Sequence, residues 1–127
     1  MTERRIRITA APVVMEAELN QSETAQQIWE ALPIEARGST WGDEIYFSIP
    51  VEAEVDNAQE VVELGELAYW PPGTAFCIFF GPTPMSQGAE IRPASPVNVV
   101  GKLIGEPKAF KQVKSGTAVK IEQISSE

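Results

Sequence analysis

Six residues between positions 69 and 98 are of the types that build a ligand pocket. Tyr69 and Phe80 offer apolar walls, Thr83 and Ser86 offer hydroxyls, Arg92 a permanent cation and Asn98 an amide. Pockets combine apolar walls with a few placed polar groups, so this set points to binding of a small molecule or a peptide, with Arg92 near enough to hold an anion. Thr83 and Ser86 lie in Gly81-Pro82-Thr83-Pro84-Met85-Ser86-Gln87-Gly88, too rich in Pro and Gly for a helix or a central strand. Asn98 stands between valines, where a buried amide left unpaired costs about 1–3 kcal/mol. The carbonyls and hydroxyls of the Gly81–Gly88 loop are its expected partners. The expected site is therefore an apolar pocket beside this loop, with Asn98 as the tether. A plainer reading keeps the tether and makes the aromatics ordinary core.

Other residues carry weaker chemistry. Glu16 with Glu18, and Glu52 with Glu54, share a strand face at i, i+2, the arrangement a carboxylate-pair hydrolase would use. In a chain with 18 acids and 10 bases such pairs also arise from composition alone. Glu44, Tyr46 and Ser48 form one face of a strand, polar groups for an open cleft or for a solvated sheet. There is no His and a single Cys, so zinc, haem and imidazole-based catalysis lose their usual ligands and bases; only a carboxylate site for a hard cation would remain, and no cofactor and no metal site is expected. Cys77 sits in an apolar run, where a thiol behaves as a small hydrophobe. A formal charge of −8 repels phosphate backbones and argues against nucleic acid as a partner. The run Met1-Thr2-Glu3-Arg4-Arg5-Ile6-Arg7 is basic but leads into alternation, not an apolar block, so neither a signal peptide nor a membrane anchor is expected, and the location is cytoplasmic. Oligomeric state leaves no mark in the residues.

The elements that must position these groups read mainly as strands. At 127 residues the chain is expected to form one domain, 1–127, burying roughly two thirds of its unfolded surface. Arg5 to Ala10 and Val13 to Leu19 alternate and are broken by Ala11-Pro12, a hairpin in which arginines can face Glu16 and Glu18. Ser22 can cap a helix whose apolar stripe is Ala25, Ile28, Trp29 and Leu32, stopped by Pro33. Ile34 to Thr40 and Glu44 to Pro50 suggest a second hairpin around Trp41-Gly42-Asp43. The aromatic stretch from Ala68 to Pro84 suggests a third, turning at Pro71-Pro72-Gly73. Its second arm, Ala75 to Phe80, is apolar at every position, as in a strand buried on both faces. Val97 to Ile104, a short helix over Pro107 to Val113 and a last strand from Ala118 to Ile124 complete the chain.

About eight short, mostly antiparallel strands, one clear helix and one less well marked point to a mainly β barrel or sandwich, of which the closed barrel also disposes of sheet edges. Four runs add a resemblance that covers nearly the whole chain: Trp41 to Phe47, Gly65 to Gly73, Cys77 to Ser86 and Ala94 to Gly101. In this order they resemble a family of small bacterial and archaeal cyclophilin-like proteins of unknown function. The resemblance implies a closed antiparallel eight-stranded cyclophilin-type barrel with one clear and one short capping helix. Cyclophilins proper are prolyl isomerases that use an arginine within a Phe-His-Arg motif beside a proline pocket. That motif is absent here, and Arg37 and Arg92, the arginines outside the first strand, lack its context. Three functions stay open: small-molecule or peptide binding beside the Gly81–Gly88 loop, prolyl isomerisation or proline-peptide binding, and a non-catalytic interaction subunit. The residues do not decide whether the protein is an enzyme, and the missing motif argues against the isomerase.

Overall fold

The computed structural model describes residues 4–124; Met1, Thr2 and Glu3, on which the reading of the N-terminus partly rests, lie outside them. Alternation sets up the first hairpin. Strands β1 (Arg4–Ala10) and β2 (Val13–Leu19) pair antiparallel, with Ile6, Ile8, Ala10, Ala17 and Leu19 buried. Arg5 lies opposite Glu18 and Arg7 opposite Glu16, yet the ion contacts are diagonal, Arg5 to Glu16 at 3.6 Å, or across to the last strand, Arg7 to Glu122 at 3.9 Å. Such exposed pairs are worth about 1 kcal/mol or less. Helix α1 (Glu23–Ala31) begins where the Ser22 hydroxyl accepts from the Ala25 N–H at 3.2 Å, with Glu23 at the positive end of its dipole. It lays Ala25 and Ile28 on the core, with Trp29 and Leu32 at the margin.

The remaining strands are β3 (Ile34–Arg37), β4 (Ser39–Thr40), β5 (Glu44–Ser48), β6 (Glu66–Trp70), β7 (Ala75–Phe79), β8 (Asn98–Ile104) and β9 (Ala118–Gln123). All pairings are antiparallel, in the order β3-β9-β1-β2-β8-β6-β7-β5-β4. The two ends of that order are neighbours in the chain, separated only by Gly38. Its N–H donates to the Thr117 carbonyl at 2.9 Å and its carbonyl accepts from Gly116 N–H at 2.7 Å. The sheet thus meets itself at one bent strand, and with β3 and β4 counted as one the barrel has the eight strands expected. A Cβ on Gly38 would come within 2.9 Å of Ile45, so the bend there needs glycine. This bend corrects the expected second hairpin. Only Ser39 and Thr40 pair with β5, because the four residues before Gly38 turn away to β9.

The interior is filled by one large cluster that includes Ile6, Ile8, Phe47, Leu67, Tyr69, Phe76, Ile78 and Ile121, completed by Ala25 and Ile28 of α1 and by Phe110. Phe110 comes from the 3₁₀ helix Pro107–Gln112, whose N-cap is Glu106. All five residues of β7 are buried because both of its faces are covered. Phe76 and Ile78 point into the barrel, whereas Cys77 and Phe79, on the opposite face, join Val62, Ala68, Ile91 and Val97 in a second, smaller core. Residues 81–97 fold back over the outside of the barrel to build it, held by bridges between Val62 and Ile91 and between Gln59 and Val97. No helix among the described residues is long and apolar enough to cross a membrane.

Candidate functional site

The six residues singled out in the sequence go to three different places. Tyr69 is fully buried; its hydroxyl donates to the Val51 carbonyl at 2.7 Å and accepts from the Ala53 N–H at 3.1 Å. Asn98, which pairs with Tyr69 across the β6–β8 ladder, is buried beside it. Its Oδ1 accepts from Asp56 N–H at 2.9 Å, and its Nδ2 donates to the Glu54 carbonyl at 2.9 Å and to Thr24 Oγ1 at 3.1 Å. The amide is satisfied, as a buried amide must be. Its partners lie in residues 54–56 and in α1, not in the Gly81–Gly88 loop, which corrects the expected tether. The physical reason is position: Asn98 opens β8 beside the segment that Tyr69 straps down.

Thr83, Ser86 and Arg92 do come together, as a clasp that closes their own loop. Ser86 Oγ accepts from the backbone N–H groups of Thr83 and Arg92 at 2.9 and 3.0 Å, and Thr83 Oγ1 donates to the Arg92 carbonyl. The guanidinium of Arg92 pairs with Glu90 at 2.7 and 3.2 Å and lies 3.8 Å from Glu60. That contact holds the Glu90 carboxyl below the usual carboxylate range and raises Arg92. Phe80 packs in the core against Phe110, ring centroids 6.2 Å apart. None of the six lines the cavity described next.

That cavity, about 260 Å³, lies on the outer face of the barrel beside the second core. Its wall is formed by Trp41, Glu44, Tyr46, Trp70, Pro93, Ala94 and Val97. Glu44 and Tyr46 come from β5, where alternation directs them outward opposite Phe79 and Cys77 of β7. Trp41 is carried by the turn into β5, which is seated on the Gly81–Gly88 loop. Asp43 N–H donates to the Pro82 carbonyl at 2.9 Å, Phe80 N–H to the Asp43 carbonyl at 2.9 Å, and Lys111 reaches the Asp43 carboxylate at 3.0 Å. Gly42 has a φ of 61°, and a Cβ there would meet Pro84 at 2.7 Å, so only glycine lets the turn lie this close. Trp70 ends β6, and its indole N–H donates to Ser95 Oγ at 2.6 Å. Its ring covers Gly73, where a Cβ would come within 2.8 Å.

Glu44 is the unusual member of this wall. It is only 6 % exposed, and burial pushes its pKa from 4.5 up to about 7, against a smaller lowering by a hydrogen bond from the Cys77 thiol. Cys77 is 1 % exposed, and burial, reinforced by the charge of Glu44 and the hydrogen bond to it, raises its own pKa well above the usual thiol range. By geometry the acceptor of the thiol is the Ala75 carbonyl, at 4.0 Å. A thiol so buried and so hard to ionise is no nucleophile. The carboxyl can instead exchange a proton near neutral pH or offer one negative charge to whatever fills the cavity.

Glu44 and Tyr46 were legible as an outward polar pair, whereas Trp41 read only as part of a turn and Trp70 only as a hairpin aromatic. The signal that could have joined them is the juxtaposition of an acid with a neighbouring strand apolar at every position, since its carboxyl would have to be buried. Comparison with known proteins bears on the fold more than on the site. No curated protein matches the chain. A solved relative is the solution structure of the hypothetical protein AF2241 from Archaeoglobus fulgidus, 43% identical over 96% of this chain and 95% of that one, with a TM-score of 0.82. The family model described as Cyclophilin-like matches residues 4–122. With the barrel, its helices and this match in agreement, the chain belongs to the cyclophilin-like family.

Proposed function

We propose that the protein binds a small organic molecule in the cavity between Trp41 and Trp70, beside the Gly81–Gly88 loop. A single observation carries this: a buried carboxyl, Glu44, lines a cavity whose other walls are mostly apolar and aromatic. Folding does not explain the group, because a carboxyl with its pKa lifted from 4.5 to about 7 costs about 3 kcal/mol at neutral pH. Buried groups with perturbed ionisation cluster at functional sites. The volume of about 260 Å³ lies just below the common range for ligand pockets, roughly 300–1,000 Å³, and suits a small molecule better than a peptide segment.

Prolyl isomerisation has less support. A cation aimed at a twisted amide is missing from the cavity wall, the guanidinium of Arg92 is taken by two glutamates, and Arg37 donates to the Gly116 carbonyl at 3.0 Å. A peptidyl-proline assay is expected to show no catalysis above background; turnover abolished by Arg92→Ala would reverse that judgement. The binding proposal itself is tested by an NMR screen of small organic molecules. Ligands are expected to shift the indole signals of Trp41 and Trp70 while leaving that of Trp29, on α1, in place. A screen in which no compound shifts either indole saturably would refute it.

A further inference from the structure

Resting on the cavity proposed above as a binding site, we infer that its ligand is an organic cation, an alkylated ammonium group held by the aromatic side chains of Trp41, Tyr46 and Trp70 and neutralised by Glu44. The composition of the wall carries this. Three of its seven residues are aromatic, one is a carboxylic acid and three are apolar, and none is a base. Aromatic faces present negative potential and attract cations, and tryptophan, present twice here, does so best. Nearby bases on the same side of the molecule have carboxylates of their own: Lys111 pairs with Asp43, and Arg92 with Glu90 and Glu60. None of the ion pairs formed by these bases includes Glu44. An incoming cation supplies the counter-charge that burial has withheld.

The degree of alkylation follows from hydrogen-bond accounting. A primary ammonium brings three N–H donors, and each left unpaired in an apolar site is costly. Pro93, Ala94 and Val97 present apolar side chains there, and the acceptors that lining side chains supply, the Glu44 carboxylate and the Tyr46 hydroxyl, both come from one strand, β5. A group whose nitrogen is covered by methyl or methylene groups brings charge without unmet donors and places carbon against those apolar side chains. The excess of 18 acids over 10 bases favours approach of a cation from solution.

The probe is choline, a trimethylated ammonium, compared with its uncharged analogue in which carbon replaces the quaternary nitrogen, at matched ionic strength. Binding is followed on the Trp41 and Trp70 indole signals, with Trp29 as the internal reference. Choline is expected to shift both signals saturably at concentrations up to about 10 mM and to bind at least about tenfold more tightly than the analogue. Glu44→Gln should remove most of that preference, bringing the two affinities close to each other, and Trp70→Leu should weaken both. Unchanged spectra elsewhere in each variant establish that the fold is retained. Equal affinity for the two compounds, or a preference that survives Glu44→Gln, overturns the cation inference and leaves the cavity standing as a binding site. No saturable shift with choline overturns the inference too, and the screen of neutral and acidic compounds then decides the fate of the cavity separately.

Discussion

At the scale of single residues, Glu44 sets the energetics of the site. In the unfolded chain it ionises near 4.5, in the folded protein near 7. Between these values the unfolded state has released a proton that the folded state still holds, so folding stability falls as pH rises from about 4.5 to about 7 and stays level above. Glu44→Gln removes the titrating group. It is expected to leave stability nearly unchanged at pH 4 and to raise it by up to about 3 kcal/mol at pH 8, as measured by urea denaturation at the two pH values. Equal effects at both would mean that the carboxyl is solvated. Phe79 is the opposite case, a residue that only folding uses. With its side chain fully buried in the second core, Phe79→Ala should cost about 3–5 kcal/mol, whereas a loss below about 1 kcal/mol would mean that residues 81–97 do not cover β7. The sequence made Phe79 legible because its strand is apolar throughout. Its hint that Glu44 is buried is indirect, the neighbouring strand apolar at every position, because an acid at an outward position is ordinarily solvated and the chain that covers this one, Pro93 to Val97, is remote in sequence.

At the scale of elements, the two irregular segments matter most. Residues 51–56 are strapped down by Tyr69 and Asn98, and residues 81–97 are clasped by Thr83, Ser86 and the Arg92 backbone. Asn98→Ala strands the Asp56 N–H and the Glu54 carbonyl and should cost about 1–3 kcal/mol. Hydrogen exchange should quicken at Asp56 and stay unchanged from Thr83 to Gln87; the reverse pattern would restore the tether expected from sequence. Gly42→Ala is expected to destabilise the protein and to move the Trp41 indole signal, because its φ of 61° and the contact with Pro84 leave no room for a side chain. Local patterns made most elements readable: the Ser22 cap and its apolar stripe, the alternation of β1 and β2, the Pro-Pro-Gly reversal. What failed was long-range. A satisfied amide on Asn98 was required by physics, but its partners are 42 to 74 residues away in the chain, and no local rule chooses among them. The split of residues 34–40 between two neighbours was hidden in Gly38, which reads as any glycine until Ile45 and Val119 are packed against it.

At the scale of the whole molecule, one bent strand lets a sheet of nine hydrogen-bonded segments meet itself, which leaves the interior full and puts the cavity on the outside. The aromatic wealth of residues 68–84 is therefore divided. Tyr69, Phe76 and Phe80 face the interior, Phe79 seals the outer layer, and Trp70 is left at its edge as a wall of the cavity. The family and barrel were readable because several runs occur in one order along the chain. The cavity was not, because it exists only where the β5 face, the end of β6 and the returning segment meet. The most direct measurement is a crystal structure of the protein with a small molecule obtained from the screen. The molecule should lie between Trp41 and Trp70 with a polar or charged group against Glu44. Binding instead at the Thr83–Arg92 clasp or within the barrel, with this cavity left unfilled, would contradict the account.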